Sequence, residues 1–523
     1  MIGTGRSAGV RRRSISPALG VVGAMALAFV VRLVLGLHTP IDPEEATLGL
    51  SALHIVHGQP VLMDPGSPYL GALDAYLIAP FVALLGTGLA AIRIGLACIG
   101  ALTALVTYWF GLIALRRASD AIIAACVVAV FPVFAVYWST RLHPGAADLM
   151  LLEALCLAIA AVVGWGRGHR LRWWALLGFV AGIAVWSDPV FVCAVVAIAV
   201  GLLLRAPRIG WPNVTRGASA ALIAAVIGFL PWLVYNVPNG FPSLHAIPRT
   251  GTGIGNGVRS LLDGQLPVLF GGSSSCGHPV LPPVVTDLVF VALLLALLWS
   301  RRLTLRYLVA GHWTGLSYLD LALLVIPVTL VAVVLTGVNA NPCDAQILLP
   351  MALPLALGVA GILVERARWR PVALGAAAVW LAVSVVAAAG GLPGSVTSTT
   401  GGTPIPADLG PGVVFLERHH PAAVWAEYSL SRLLSFRSGD TLPIAEYGGT
   451  VGFLARQQQV ETALDPSWVF VAGDPHIANF LAACRSHAIA YTVATGGGLV
   501  LYTNLSAPLE PVDVFSGAEA RTS

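Results

Sequence analysis

Between His38 and Ala75 the chain carries five carboxylates, Asp42, Glu44, Glu45, Asp64 and Asp74, and no basic side chain other than histidine. Carboxylates at that density can take a proton from a hydroxyl or hold a cation between their oxygens. Asp42, Glu44 and Glu45 crowd together, where repulsion and partial burial would raise at least one pKa towards the neutral range a general base needs. The same three acids also read as the first turn of a helix, whose N-terminus favours negative charge. Both readings can hold at once. A divalent cation among these oxygens is neither required nor excluded, and the sequence requires no cofactor.

The other groups with chemical potential outside the arginine clusters are Arg32, Arg93, Arg141, His143, Asp148, Glu153 and Asp188. They fall at the outer ends of hydrophobic stretches, where together they could line one outward-facing cavity. Taken singly, an arginine at a helix end snorkels and an acid at a helix terminus caps or pairs. Cys98, Cys126, Cys156 and Cys193 lie in apolar segments and read as packing residues. Cys276 and Cys343 fall in two outer loops, compatible with a disulfide or with two free thiols. No pair has the spacing of a structural zinc site.

A membrane must position these groups. The mean hydropathy of +0.84, with 57% hydrophobic and 10% charged residues, excludes a soluble globular protein. Every cationic side chain apart from histidine is an arginine, and these cluster at Arg6 to Arg13, Arg116–Arg117, Arg167 to Arg172, Arg205 to Arg216, Arg301 to Arg306 and Arg366 to Arg370. The positive-inside rule makes those clusters cytoplasmic. Seating them inside requires eleven spans, near 18–37, 89–112, 121–138, 146–163, 173–187, 189–204, 218–236, 284–300, 318–336, 346–364 and 371–390. The N-terminus is then cytoplasmic, and loops 38–88 and 237–283 share the outer face of a cell membrane with the C-terminal region. The first apolar stretch reads as a retained span, since no cleavage site leads into soluble sequence.

The expected organisation is a transmembrane domain over 1–390, a Gly/Pro/Thr-rich linker over 391–410, an extracytoplasmic α/β domain over 411–510 and a tail over 511–523. Glu45 to His57 has the spacing of a helix lying along the membrane surface, and Tyr69 to Leu85 reads as a second one. Glycine and serine in 237–283 favour a mobile lid. In the C-terminal region, strands are expected at 423–426, 442–445, 468–472, 489–493 and 500–502, with helices near 430–436 and 477–485. No feature suggests a nucleic-acid partner.

The blocks also resemble a family. PEEATLGLSALHI is similar to the Asp-Glu-Ala segment after the first span of GT-C superfamily membrane glycosyltransferases, in the polyprenyl-phosphate-sugar-dependent branch related to protein O-mannosyltransferases and the Rgt-like bacterial enzymes. YLGALDAYLIAP with Arg93 beyond it, TRLHPGAADL, GIAVWSDP, GFLPWLVYN and ILLPMALPLAL follow in the family's order. The resemblance covers about residues 20–365 and the stretch AEYSLSRLLSFRSGD.

That resemblance implies an α-helical polytopic GT-C-like membrane protein of about eleven transmembrane helices with a small C-terminal extracytoplasmic α/β domain. It implies an inverting hexosyl or pentosyl transfer from a polyprenyl-phosphate sugar to an extracytoplasmic acceptor: a cell-envelope glycan, glycolipid or protein. Glu44 is then the expected base, supported by Glu45 and Asp42, and Asp74 would orient acceptor or metal. Tyr69, Arg32, Arg93, Arg141, His143, Asp148 and Asp188 are the expected substrate-binding residues, the arginines stabilising the leaving phosphate. The chain departs from the family with Glu44 in place of Asp, Asp74 in place of Glu and Gln346 in place of Arg. Exchanging acids one methylene apart matters, because a misplacement of ~1 Å can cost ~100-fold in rate. Two rival readings are a flippase for lipid-linked precursors and an inactive scaffold carrying a glycan-binding tail. Charge-free mid-span positions speak for chemistry at one face over transport.

Overall fold

A computed structural model describes residues 16–166, 170–246, 253–272, 281–312, 315–336, 342–365, 398–449 and 451–515. The expected span 371–390, the first part of the linker (391–397) and Cys276 lie outside these residues, as does the side chain of Cys343.

The described chain is helical from end to end of its apolar part. In order come α1 (Pro17–Leu37), α2 (Pro43–Val56), α3 (Leu73–Leu85), α4 (Leu89–Leu115), α5 (Ala118–Val130), α6 (Val133–Trp138), α7 (Ala147–Trp165), α8 (Leu171–Ser187) and α9 (Val192–Leu204). They are followed by α10 (Trp211–Gly228), α11 (Leu230–Asn236), α12 (Pro283–Ser300), α13 (Arg302–Val309), α14 (Tyr318–Leu323), α15 (Val325–Thr336) and α16 (Ala352–Glu365). Six stretches are long and apolar enough to cross ~30 Å of hydrocarbon: α1, α4, α7, α12, Tyr318–Leu335 and Ala345–Val364. The pair α10 and α11, bent by 52°, adds a seventh when counted as one broken span. The protein is therefore a multi-pass membrane protein with at least six candidate spans.

Small residues set the helix contacts, as expected where lipid supplies no hydrophobic drive between helices. Gly178 and Gly182 let α8 approach α10 so closely that a Cβ on either would overlap the carbonyls of Ala221 and Ala225. The largest core runs through α4, α7, α8 and α9 to α14, α15 and α16.

The C-terminal region contains α17 (Gly410–His419), β1 (Val424–Glu427), α18 (Tyr428–Arg437), β2 (Ile444–Tyr447), α19 (Leu454–Glu461), β3 (Ser467–Val471), α20 (His476–Ser486), β4 (Thr492–Gly496) and β5 (Leu499–Thr503). The strands form one sheet in the order β2-β1-β3-β5-β4, with β2, β1 and β3 parallel and β5 antiparallel to β3 and β4. Strand alternation gives the sheet two apolar faces. Trp425, Trp468, Phe470 and Tyr502 build an aromatic core on one side. On the other side, Val424, Ala426, Val469, Val471 and Leu501 share a continuous core with α18, α2, α3 and α4. The sheet is thus seated on the acidic-loop helices. Gly49 of α2 is the closest point of that seat: a Cβ there would meet the Phe436 ring at 2.6 Å.

Three local expectations change. The 237–283 loop is not an open lid over its described part, since 254–269 is helical and Leu266, Leu269 and Phe270 are buried in the membrane core. The apolar run LPVLF overrides the glycines before it. The helix expected from Tyr69 begins only at Leu73, because the Pro65 to Pro68 turn is closed by an antiparallel bridge between Met63 and Gly71. Finally, α17 and α19 were not anticipated; their polar, proline- and glutamine-bearing sequences hide the few apolar anchors, Val413, Leu416 and Val460.

Candidate active site at the head of α2

Asp42 caps α2, accepting from the Glu45 backbone N–H at 2.7 Å, while the Glu45 side chain accepts from the Asp42 N–H at 3.2 Å. This reciprocal box, with Pro43 at the first helical position, fixes the turn. Successive residues of a helix point ~100° apart, so the box that buries Glu45 turns Glu44 outward. The Glu45 side chain is 0% exposed and that of Glu44 is 68% exposed.

Glu45 is saturated. It accepts both terminal nitrogens of Arg93, Nη2 at 3.0 Å, and the Leu142 N–H at 2.8 Å, with Arg141 Nε at 3.3 Å. Arg93 also donates to the carbonyls of Gly36, Thr39 and Thr140. One buried ion pair thereby ties the end of α1, the head of α2, the start of α4 and the 139–142 segment together. Burial would raise the Glu45 carboxyl, but Arg93 and Arg141 hold it below its usual value.

Asp42 receives Arg141 and, at 3.1 Å, His143 Nε2. His143 Nδ1 lies 2.8 Å from Glu44, and its ring stacks on Trp138 at 4.8 Å. Burial would depress this imidazole, yet Asp42 and Glu44 push it up to about 10, so it is a cation at neutral pH. Asp42, desolvated but facing His143 and Arg141, lies well below the usual carboxylate range. The raised carboxyl expected of crowded acids is therefore found in neither Asp42 nor Glu45: three cations answer three anions. Burial instead raises Asp64 to about 6; it accepts the Gly66 N–H at 3.3 Å.

A second acidic group lies deeper. Asp74, fully buried in the first turn of α3, accepts from the Gly145 N–H at 3.2 Å, and Asp148 accepts from Ser187. The two carboxyls come within reach of each other, and the Oδ1 of each has no hydrogen-bond partner. Asp188 accepts from the Val190 N–H at 2.8 Å, and burial raises it to about 7. Tyr69 is half-buried between Asp188, Glu44 and Asp64. Among the described residues, no three His, Cys, Asp or Glu side chains converge as metal ligands would.

Two expectations for an outward cavity do not hold. Arg32 is 2% exposed and is spent inside the bundle on Ser139 Oγ at 2.9 Å and the Ala129 carbonyl at 3.2 Å, because α1 packs its arginine face against α5 and α6. Glu153 lies in the interior of α7, fully buried, and among the described residues neither of its oxygens has a hydrogen-bond partner. Arg93 and Glu45 hold the turn from behind and present no free face.

Residues from the C-terminal region complete the surroundings. Tyr428, at the start of α18, places its hydroxyl over the Asp64–Gly66 turn, 4.0 Å from where a Gly66 Cβ would lie. Burial pushes its phenol up to about 12. His54 of α2 meets Asp440 at 2.9 Å, and Asp440 also holds Arg456. A cleft of 150 Å³, lined by Pro40, Ile41, Leu89, Leu409, Phe436 and Arg437, separates the approach to α2 from this region. No spacing rule could find these residues more than 350 positions away; only the AEYSLSRLLSFRSGD resemblance touched them.

A bundle of apolar helices, an acidic helix at one end and a small sheet seated on that helix make up a fold similar to that of GT-C membrane glycosyltransferases. Within it, residues 71–235 match the family of dolichyl-phosphate-mannose-protein mannosyltransferases. The fold is shared with ArnT from Cupriavidus metallidurans bound to undecaprenyl phosphate, at a TM-score of 0.58 and 14% identity over 93% of this chain and 98% of that one. The apo state of the same enzyme aligns at 0.47 and 15% identity over 93% and 98% of the two chains. The Archaeoglobus fulgidus oligosaccharyltransferase in complex with zinc and sulfate aligns at 0.49 and 12% identity, over 93% and 73%. No curated protein sequence matches the chain.

Proposed function

We propose that this protein transfers a hexose or pentose from a polyprenyl-phosphate donor to a hydroxyl of an extracytoplasmic cell-envelope glycan, glycolipid or protein, with inversion and with Glu44 as the base. The observation that carries this reading is the outward Glu44 carboxylate beside the His143 cation, 2.8 Å away, in front of a fully paired Asp42–Arg141–Glu45–Arg93 array. Glu44 is the member of the acidic trio whose oxygens remain largely open. His143 holds one oxygen and leaves the other to take the acceptor proton as the acceptor oxygen attacks the anomeric carbon. The sugar–phosphate bond breaks and the polyprenyl phosphate leaves as an anion. Arg141, the most exposed of the three expected arginines at 8%, and His143 supply the nearest positive charge for it. Undecaprenyl phosphate bound to ArnT supports a lipid-phosphate donor.

In this reading α5, α8 and α9 also cross the bilayer and, with the bent pair α10–α11 and the 371–390 stretch, complete the eleven-span topology with the N-terminus in the cytoplasm. The 411–510 domain then lies outside, on the side of α2, as its shared core with α2 supports. Asp74 acts behind the site by holding the Gly145 N–H of the turn after His143, and Asp148 by holding Ser187.

The transport reading has one observation in its favour, the unpartnered Glu153 inside a candidate span. Vesicles loaded with labelled polyprenyl-phosphate sugar separate the two. Transfer predicts label leaving the lipid for an acceptor; label that crosses the membrane still lipid-linked would overturn the enzyme reading.

A further inference from the structure

At the opposite end of the bundle, α12, α13, α14 and α15 enclose a groove of 320 Å³. Its position follows from α7. Asp148 stands at the acidic-site end of that helix, whereas Trp165 at the other end carries Arg205, which donates to the carbonyl of Leu316 in the groove wall. Seventeen residues of helix separate the two ends, roughly 26 Å at 1.5 Å per residue.

The groove is amphiphilic along its length. Leu294, Leu298, Leu305, Leu323 and Leu330 line it, while Arg301, Thr304 and Asp320 gather at one end, with Arg301 3.9 Å from Asp320. Just outside that end, α13 carries Arg302, stacked over Trp299 at 4.4 Å, and Arg306 one turn on. Leu295, Trp299, Leu303, Tyr307 and Val309 around them are exposed apolar side chains, 59% exposed or more. Tryptophan and tyrosine beside arginines mark a membrane–water interface. Three arginines against one aspartate leave the polar end positive.

We propose that this groove binds one anionic phospholipid, with an acyl chain along the leucines and the phosphate held by Arg302 and Arg306. The wall is aliphatic apart from Arg301, Thr304 and Asp320, which suits a hydrocarbon chain. Charge decides the headgroup, since an uncharged or zwitterionic lipid leaves the α13 arginines unanswered.

Native mass spectrometry of the full-length protein, delipidated in detergent and titrated with phosphatidylglycerol or phosphatidylcholine, tests this. The wild type should retain one phosphatidylglycerol in preference to phosphatidylcholine. Each arginine near an anionic surface is worth a factor of about five, so R302Q/R306Q should bind phosphatidylglycerol roughly thirtyfold more weakly. L308W, which fills the groove, should lose both lipids. The proposal is overturned if the wild type shows no preference, or if phosphatidylglycerol retention survives in R302Q/R306Q; R306Q alone, at an exposed position, should already weaken retention about fivefold.

Discussion

Glu45→Gln separates two neighbouring carboxylates that sequence alone groups together. The substitution keeps shape but removes the charge facing Arg93, and in either orientation the amide N–H₂ points at the guanidinium together with the Leu142 or the Asp42 N–H. Removing one partner of a buried ion pair costs ~3–5 kcal/mol. Arg93 keeps its bonds to the Gly36, Thr39 and Thr140 carbonyls, so the lower end, about 3 kcal/mol, is expected. Glu44→Gln, at an exposed position, should change stability by no more than about 0.5 kcal/mol. Thermal unfolding of detergent-purified protein, followed by loss of the monodisperse peak in size-exclusion chromatography, reads both. The sign with pH is fixed: because Glu45 is held below its usual 4.5, its stabilisation is present above that value and is lost as pH falls through the depressed one. The gap between wild type and Glu45→Gln should therefore close in acid. A Glu45→Gln protein that unfolds like wild type at neutral pH yet transfers no sugar would refute the positioning role and make Glu45 chemical.

Three further outcomes follow from the same contacts. His143, raised to about 10, stabilises fully below its usual 6.5 and loses that contribution as pH climbs through about 10; wild type should lose more thermal stability over that interval than His143→Gln. Asp64 is raised from 3.8 to about 6, so burial costs stability as pH rises between those values and by a constant amount above them. Asp64→Asn, still able to accept the Gly66 N–H, should match wild type near pH 4 and exceed its unfolding midpoint at pH 7. Gly49→Ala would place a methyl 2.6 Å from the Phe436 ring, which is 1% exposed and has no room to turn. It should cost ~1–3 kcal/mol and open α18 to protease digestion in intact membranes, while Ala52→Gly, at a buried position of the same helix, should leave α18 protected.

Hydropathy and arginine placement made the helical, polytopic architecture legible, because the bilayer forces long apolar runs and charge asymmetry into the sequence itself. The first turn of α2 was legible for a similarly local reason: Asp42, Glu44 and Glu45 supply the negative charge that a helix N-terminus favours. The electrostatics of that turn were not. Crowded acids suggested raised pKa values, but Arg93, Arg141 and His143 come from helices and turns about fifty to a hundred residues away, and the direction reverses once they are in place. Arg32 misled for the complementary reason: its neighbours in sequence place it at a membrane face, whereas packing against Ser139 and Ala129 buries it. The seating of α18 on α2 depends on one glycine facing one phenylalanine across 387 residues, a relation that no periodicity records.

The most direct measurement is sugar transfer by Glu44→Gln protein in membrane vesicles supplied with labelled polyprenyl-phosphate sugar and native envelope acceptors, beside wild type at equal protein level. A general base contributes ~10²–10⁴-fold, so transfer should fall at least about a hundredfold while the thermal midpoint stays at the wild-type value. Transfer at the wild-type rate by a folded Glu44→Gln protein would contradict the assignment of Glu44 as the base.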